Sequence, residues 1–134
     1  MKVYIAGKYE SRARLREESH AIQVKGHRML STWMNETATR EEGLEIPDYA
    51  LLAAKRDVEE VTDADLFIVD TFDVSTTGGR HVEMGLALAS GVPVWVVGPL
   101  GGNIFHTLAS RTFASWHEVH RSIKVATLRT EARA

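Results

Sequence analysis

The densest run of residue types able to do chemistry lies between Asp70 and Gly85, where the chain reads Asp-Thr-Phe-Asp-Val-Ser-Thr-Thr-Gly-Gly-Arg-His-Val-Glu-Met-Gly. Two adjacent glycines, Gly78 and Gly79, let a backbone come close to a ligand. A helix expected from about Arg80 to Ser90 would offer free amides and a positive partial charge at its start. Glu83 falls within roughly its first turn, where that field favours an ionised carboxylate. Beside an open sheet edge such a carboxylate can serve as a nucleophile. An acidic residue near a helix start is also a common decoration, so this position alone leaves both readings open.

Asp57 is the second candidate. It lies three residues after Ala54 and four before Val61, on the apolar stripe Leu51, Ala54, Val58 and Val61 of an expected helix opened by Pro47, with Asp48 in its first turn. Desolvation on a buried face raises a carboxyl pKa, which suits a general acid. A satisfied buried aspartate capping a neighbouring loop fits the same pattern. Tyr4 sits in the first apolar run, where core packing is the ordinary reading. Gly7, Lys8 and Tyr9 form the loop after it, and Arg12 follows. Lys8 and Arg12 suit an anion or plain solvated surface. His81-Val82-Glu83 imitates the H-x-E of zinc deaminases, but the partner cysteines do not exist, so no metal site is expected.

The elements that must position these residues alternate. Val3 to Ala6 reads as a buried strand ended by Gly7, and about Ser11 to Lys25 as a helix stopped by Gly26, with Leu15, Ala21, Ile22 and Val24 on its apolar face. A strand is expected over His27 to Leu30, then a loop over residues 31–45. Leu66 to Val69 is uniformly apolar, as a parallel strand covered on both faces should be. Gly91 closes the helix that carries Glu83, and Val92 to Val97 is the next strand. Asn103 to Ser110 is expected to form a short helix, Phe113 to Trp116 a last strand, and the chain to about Val125 a final helix. Alternating strands and helices imply a parallel sheet with helices on both faces. The expected fold is α/β: a three-layer αβα sandwich with about five parallel strands, flavodoxin-like or Rossmann-like in outline. Ligands in such sheets bind beyond the carboxyl ends of the strands, near the reversal of strand order.

Composition narrows the function. The chain has 134 residues, 44% hydrophobic and 25% charged, which fits one globular domain, read as residues 1–125 with a C-terminal tail over 126–134. A formal net charge of -2 supplies no basic field for a nucleic-acid polymer or an anionic membrane. Absence of cysteine rules out disulfides and thiol catalysis and suits a reducing cytoplasm. No apolar run reaches signal-peptide or membrane-spanning length, so a cytoplasmic location is expected. There is no G-x-x-x-x-G-K-[ST] loop for phosphoryl transfer and no G-x-G-x-x-G after the first strand for a dinucleotide.

Read together, Val3-Tyr4-Ile5-Ala6-Gly7, Arg56-Asp57 through Ala64-Asp65, Gly79-x-x-x-Glu83-x-Gly85, the Pro93-Val94 strand and Asn103-Ile104-Phe105-His106 follow one order over roughly Lys2 to Ile123. This order resembles the nucleoside 2-deoxyribosyltransferase superfamily, which includes nucleoside 5'-monophosphate N-glycosidases. The resemblance implies Glu83 as the nucleophile that attacks the anomeric carbon, Asp57 as the acid that protonates the departing base, and Tyr4 as the group that orients Glu83. It implies that Asn103 reaches the sugar of a neighbouring subunit's site, in a homo-oligomer, a dimer or larger, with shared active sites. Where the transferases place an aspartate for the sugar 5'-hydroxyl, six residues before the nucleophile, this chain has Thr77, preceded by Ser75 and Thr76. The monophosphate glycosidases resemble it here with a serine against the 5'-phosphate, so the resemblance tilts toward a monophosphate substrate. Hydroxyls and amides suit a phosphate dianion that an aspartate would repel.

The expectation is therefore cleavage of the N-glycosidic bond of a small nucleoside or nucleotide through a covalent sugar intermediate on Glu83, ending in hydrolysis or transfer, with no metal or redox cofactor. Expected substrate contacts are Gly7, Lys8, Tyr9, Arg12, Thr76, Thr77, Gly79 and Asn103. The alternative is a non-catalytic nucleotide-binding or sensing module of the same fold.

Overall fold

Five consecutive buried residues, Leu66–Asp70, form the central strand β3 of the computed structural model, which describes residues 1–75 and 77–126. In chain order the other elements are β1 (Lys2–Ala6), α1 (Arg12–Val24), β2 (Arg28–Met29), α2 (Arg40–Leu44), α3 (Tyr49–Asp63), α4 (Gly79–Ala89), β4 (Val94–Val97), β5 (Arg111–Phe113) and α5 (Trp116–Ser122). The strands make one sheet in the order β2-β1-β3-β4-β5, with every pair parallel. This is the flavodoxin-like order, and strand order reverses between β1 and β3. Helices α1 and α5 pack on each other, α3 packs on α4, and the three layers expected from the alternation are present.

Burial explains the strand sequences. Tyr4, Ile5, Phe67, Ile68, Val69 and Val96 have no exposed surface, and each fully buried side chain of this size contributes about 1.5–3 kcal/mol of transfer free energy. The edge strands β2 and β5 cover only two and three residues and carry exposed Arg28 and Arg111, which blunts them against pairing with another chain. Backbone geometry demands glycine where β4 ends. Gly98 has φ +114°, and a Cβ there would lie 2.6 Å from Thr71 Oγ1 and 3.2 Å from the Phe72 amide. Among the described residues no helix is long and apolar enough to cross a membrane.

Several expectations need correction. Residues 31–45 are not plain loop: a 3-10 turn covers Thr32–Asn35, and α2 follows with a capping box in which Thr39 accepts from the Glu42 amide while the Glu42 side chain reaches back. Pro47 and Asp48 precede α3 rather than open it, and Asp48 is the left-handed N-cap at φ 61°. Along α1 the buried residues are Leu15, Ser19 and Ile22, while Val24 is exposed. Asn103 caps a 3-10 turn, Ile104–Leu108, in place of a short α-helix. Trp116 begins α5 instead of ending a strand, because Ser115 caps that helix by accepting from the Glu118 amide. That helix ends at Ser122, short of Val125. The expected tail, from residue 127 onward, lies outside the described residues.

The apolar stripe of α3 is the largest correction. Val61 is fully buried, but Leu51 and Ala54 are exposed and Val58 keeps 42% of its surface. Ala54 and Val58 face a groove along α4, and Val82 of α4, 67% exposed, shares that groove.

Candidate active site

At the carboxyl ends of β1 and β3 four chain segments line a cleft. The turn after β1 contributes Gly7 and Tyr9, and the segment after β2 contributes Trp33 and Glu36. Helix α3 supplies Arg56 and Asp57, while the loop after β3 and the start of α4 supply Ser75, Thr77, Gly79, Arg80 and Glu83. Asp57, Thr77, Gly79 and Glu83 also line the adjoining groove between α3 and α4, whose other walls include Ala53, Val58, Val82 and Leu86. The two carboxylates singled out in the sequence therefore open onto the same space from neighbouring helices.

Tyr4 is fully buried, stacked on Phe67 with ring centroids 5.7 Å apart. Its hydroxyl donates to Glu83 Oε2. Burial pushes the phenol far above its ordinary pKa, and the nearby charges of Glu83, Asp57 and Glu60 push the same way. The group is thus a fixed neutral donor, and it holds one carboxylate oxygen of Glu83 in place. Glu83 itself is the fifth residue of α4, which begins at Gly79. It stands in the second turn, so the expected help from the helix N-terminal field is small, because that field fades within the first turn.

The start of α4 is open. Its N-cap, Gly78, adopts φ 72° and makes no side-chain cap, and the first amides of a helix lack intrahelical acceptors. Ser75 and Thr77 hydroxyls lie 3.2 Å apart just before it. Arg80 is only 8% exposed; its Nη1 donates to the carbonyls of Asp70 at 3.2 Å and Asp73 at 2.6 Å, and its Nε has no acceptor among the described residues. Beneath this loop Asp70 is buried and accepts both Arg14 nitrogens at 2.9 and 3.0 Å, the Trp116 indole at 2.7 Å and the Phe72 amide at 3.1 Å.

Asp57 departs from its expected setting. Its side chain is 27% exposed, and Oδ1 accepts Arg56 Nε at 3.1 Å and Nη2 at 2.9 Å. The stripe that carries it faces the groove, so deep burial is not what surrounds it. Arg56 Nη2 also reaches Glu36 Oε1 at 2.7 Å. Glu36 Oε2 accepts the Tyr9 hydroxyl at 2.8 Å and the Tyr49 hydroxyl.

Of the expected contacts, Gly7, Tyr9, Thr77 and Gly79 join Tyr4, Asp57 and Glu83 at the cleft. Lys8 and Arg12 do not line it: Arg12 lies 3.9 Å over the Tyr9 ring and donates to the Tyr9 carbonyl at 3.0 Å. Asn103 is on the far side of α4, where its Nδ2 meets His81 Nδ1 at 3.2 Å and its surroundings are Leu100, Ile104 and His106. Thr76 lies outside the described residues. Sequence reasoning missed Trp33, Glu36 and Arg80. Arg80 carried a signal, a cation one residue past a glycine pair, whereas nothing around Glu36 marked it. His81 is pushed below its ordinary pKa by burial and by the charges of Arg80 and His106.

The fold recurs in solved structures. A 2-deoxyribosyltransferase from Bacillus psychrosaccharolyticus superposes with TM-score 0.72 at 20% identity, over 97% of this chain and 95% of that one. The Clostridium botulinum CMP N-glycosidase BcmB gives TM-score 0.60 at 20% identity, over 91% and 97% of the two chains. A conserved protein from Enterococcus faecalis V583 gives 0.62 at 17% identity, over 100% and 99%. At such identities the likeness is one of fold. No protein-family model and no curated protein matches the sequence.

Proposed function

We propose that this chain is an enzyme of the nucleoside 2-deoxyribosyltransferase superfamily that cleaves the N-glycosidic bond of a nucleoside or its 5'-monophosphate. The observation that carries the reading is the Tyr4 hydrogen bond to Glu83 in a cleft that Asp57 shares. A carboxylate oriented by a neutral donor, facing a second carboxyl across a small cavity, is the equipment of a retaining glycosyl transfer. Two of the structural neighbours, a 2-deoxyribosyltransferase and a CMP N-glycosidase, support it.

In this mechanism Glu83 attacks the anomeric carbon as the bond to the base breaks. The bonding pair leaves on the base nitrogen, and Asp57 gives that base a proton. The sugar then rests on Glu83 as an ester until water or a second base displaces it, and Asp57 takes up the proton the acceptor loses. The chemistry calls for no metal or redox cofactor. The finer reading is a 5'-monophosphate, favoured by the Ser75 and Thr77 hydroxyls and the buried Arg80 guanidinium at the open start of α4.

The catalytic unit is one domain over residues 1–125, and a cytoplasmic setting suits a chain without cysteine. We read the exposed apolar side chains of α3 and α4, among them Leu51, Leu52, Val58 and Val82, as the seat of a second copy. Leu51→Glu with Leu52→Glu should then lower the sedimenting mass, and an unchanged mass would remove that part of the reading.

The main test is chromatography for free base after incubation with a panel of nucleosides and 5'-monophosphates, with and without an added acceptor base. Wild type should release base, and Glu83→Ala should fall by at least about a thousandfold while keeping its fold. Release at the wild-type rate by that variant overturns the nucleophile assignment. Binding of a nucleotide without any release favours a sensing module.

A further inference from the structure

Glu36 ties three side chains from two other segments to one carboxylate. Tyr9 comes from the turn after β1, Tyr49 from the first position of α3, and Arg56 from two turns further along that helix. Its side chain is 16% exposed. Burial pushes its carboxyl upward, yet the hydrogen bonds from Tyr49, Arg56 and Tyr9 outweigh this and hold it below the usual carboxylate range. Both oxygens accept, so the group acts as an anion. The Arg56 guanidinium is then shared between two carboxylates, Glu36 at 2.7 Å and Asp57 at 2.9 Å.

We propose that Glu36 is a positioning residue for the leaving-group acid: through Arg56 it sets where the Asp57 carboxyl points and how readily that carboxyl keeps a proton. The inference rests on the reading of Asp57 as the acid. The physical argument concerns charge division. A guanidinium that faced Asp57 alone would favour its ionised form and make it a poor proton donor. A second carboxylate on the same cation draws off part of that field. It also adds a second fixed point to the guanidinium, whose Nε and Nη2 both reach Asp57 Oδ1 while Nη2 reaches Glu36 as well. Other titratable groups around Asp57 come from each packed element: Tyr4 of β1, Glu60 on its own helix and Glu83 of α4. Tyr4 is neutral, and Glu60 is raised chiefly by burial. Glu36 reaches the Arg56–Asp57 pair from outside α3 and α4.

Glu36→Gln tests this, because it keeps an oxygen for the tyrosine hydroxyls and removes the charge. Asp57 should then ionise more readily. The alkaline limb of kcat/KM should move toward acid by about one pH unit, with kcat falling most for bases that leave poorly and KM little changed. The Asp57 carboxyl, followed by NMR in the unliganded protein, should titrate lower by a similar amount. Glu36→Asp, whose shorter reach strains the bridge but keeps the charge, should shift both in the same direction by less. Adding Arg56→Gln to Glu36→Gln should give the profile of Arg56→Gln alone, since the effect passes through Arg56. An unmoved limb and an unmoved Asp57 titration in a folded Glu36→Gln protein would show that Glu36 only anchors the loop, and would overturn the proposal. An Asp57 titration that shifts as expected in Glu36→Gln, beside a wild type that releases no base, would support the coupling and overturn the glycosyl-transfer reading instead.

Discussion

Tyr4 and Glu83 are 79 positions apart in the chain, yet the phenol of the first strand donates to the carboxylate of α4. The bond forms because β1 and β3 are neighbours and α4 packs across both. Tyr4→Phe would keep the stack on Phe67 and remove only the hydroxyl. A hydrogen bond to a charged group contributes about 1.5–3 kcal/mol. If that bond tightens or aligns Glu83 in the transition state, kcat should fall about ten- to a hundredfold at a temperature well below the melting point of the variant. Steady-state base-release kinetics beside a thermal melt decide it, and an unchanged kcat would deny Tyr4 an orienting role.

Asp57→Asn should discriminate between substrates. An amide cannot supply the proton, so a base that departs poorly as an anion should lose about a hundredfold or more, and a base that leaves well should lose much less. Plotting rate against leaving-group basicity for both proteins gives the answer. Equal losses across the series would count against an acid role.

The loop before α4 stands on Asp70. Asp70→Ala would orphan the buried Trp116 indole and the Phe72 amide and leave Arg14 with Asp73 alone. Leaving such donors unpaired should cost about 2–4 kcal/mol of stability, measured as a shift in urea midpoint at constant slope. A loss below the error of the extrapolation would mean water replaces the carboxylate without cost.

Stability should depend on pH through His81. Its ring is held below its ordinary value of 6.5, chiefly by burial. Near that value the unfolded chain binds more protons than the folded one, so stability falls as pH drops. The contribution is whole above 6.5 and is lost as pH falls through the lower folded value. Protonation also removes the lone pair that accepts Asn103 Nδ2 at 3.2 Å. Melting temperature against pH should therefore fall less steeply through this window in His81→Gln than in wild type, and parallel curves would contradict the assignment.

The sheet was legible because its strands are uniformly apolar and its helices are punctuated by glycine. Leu66 to Val69 admitted one reading, and Gly26 and Gly91 marked helix ends that the structure keeps. Glu83 and Asp57 stood out by residue type. What misled was the assumption that an apolar stripe faces the sheet. Leu51, Ala54 and Val58 have helical spacing, yet Leu51 is exposed and Ala54 and Val58 line a groove, and periodicity carries no information about which apolar surface a stripe covers. The capping box of Thr39 and Glu42 was a local signal lost among the polar residues of segment 31–45. Glu36 could not be found this way, because its three partners come from Tyr9, Tyr49 and Arg56, and only the tertiary fold gathers them.

Glu83 and Asp57 ride on long helices packed against each other, whereas Trp33, Glu36, Ser75 and Thr77 sit on connecting segments. On the proposed function, the groups for bond breaking are in this way mounted apart from those for recognition. Randomising the connections while leaving α3 and α4 intact is then a rational route to new substrate preferences, since variants can explore different bases without rebuilding the reactive pair.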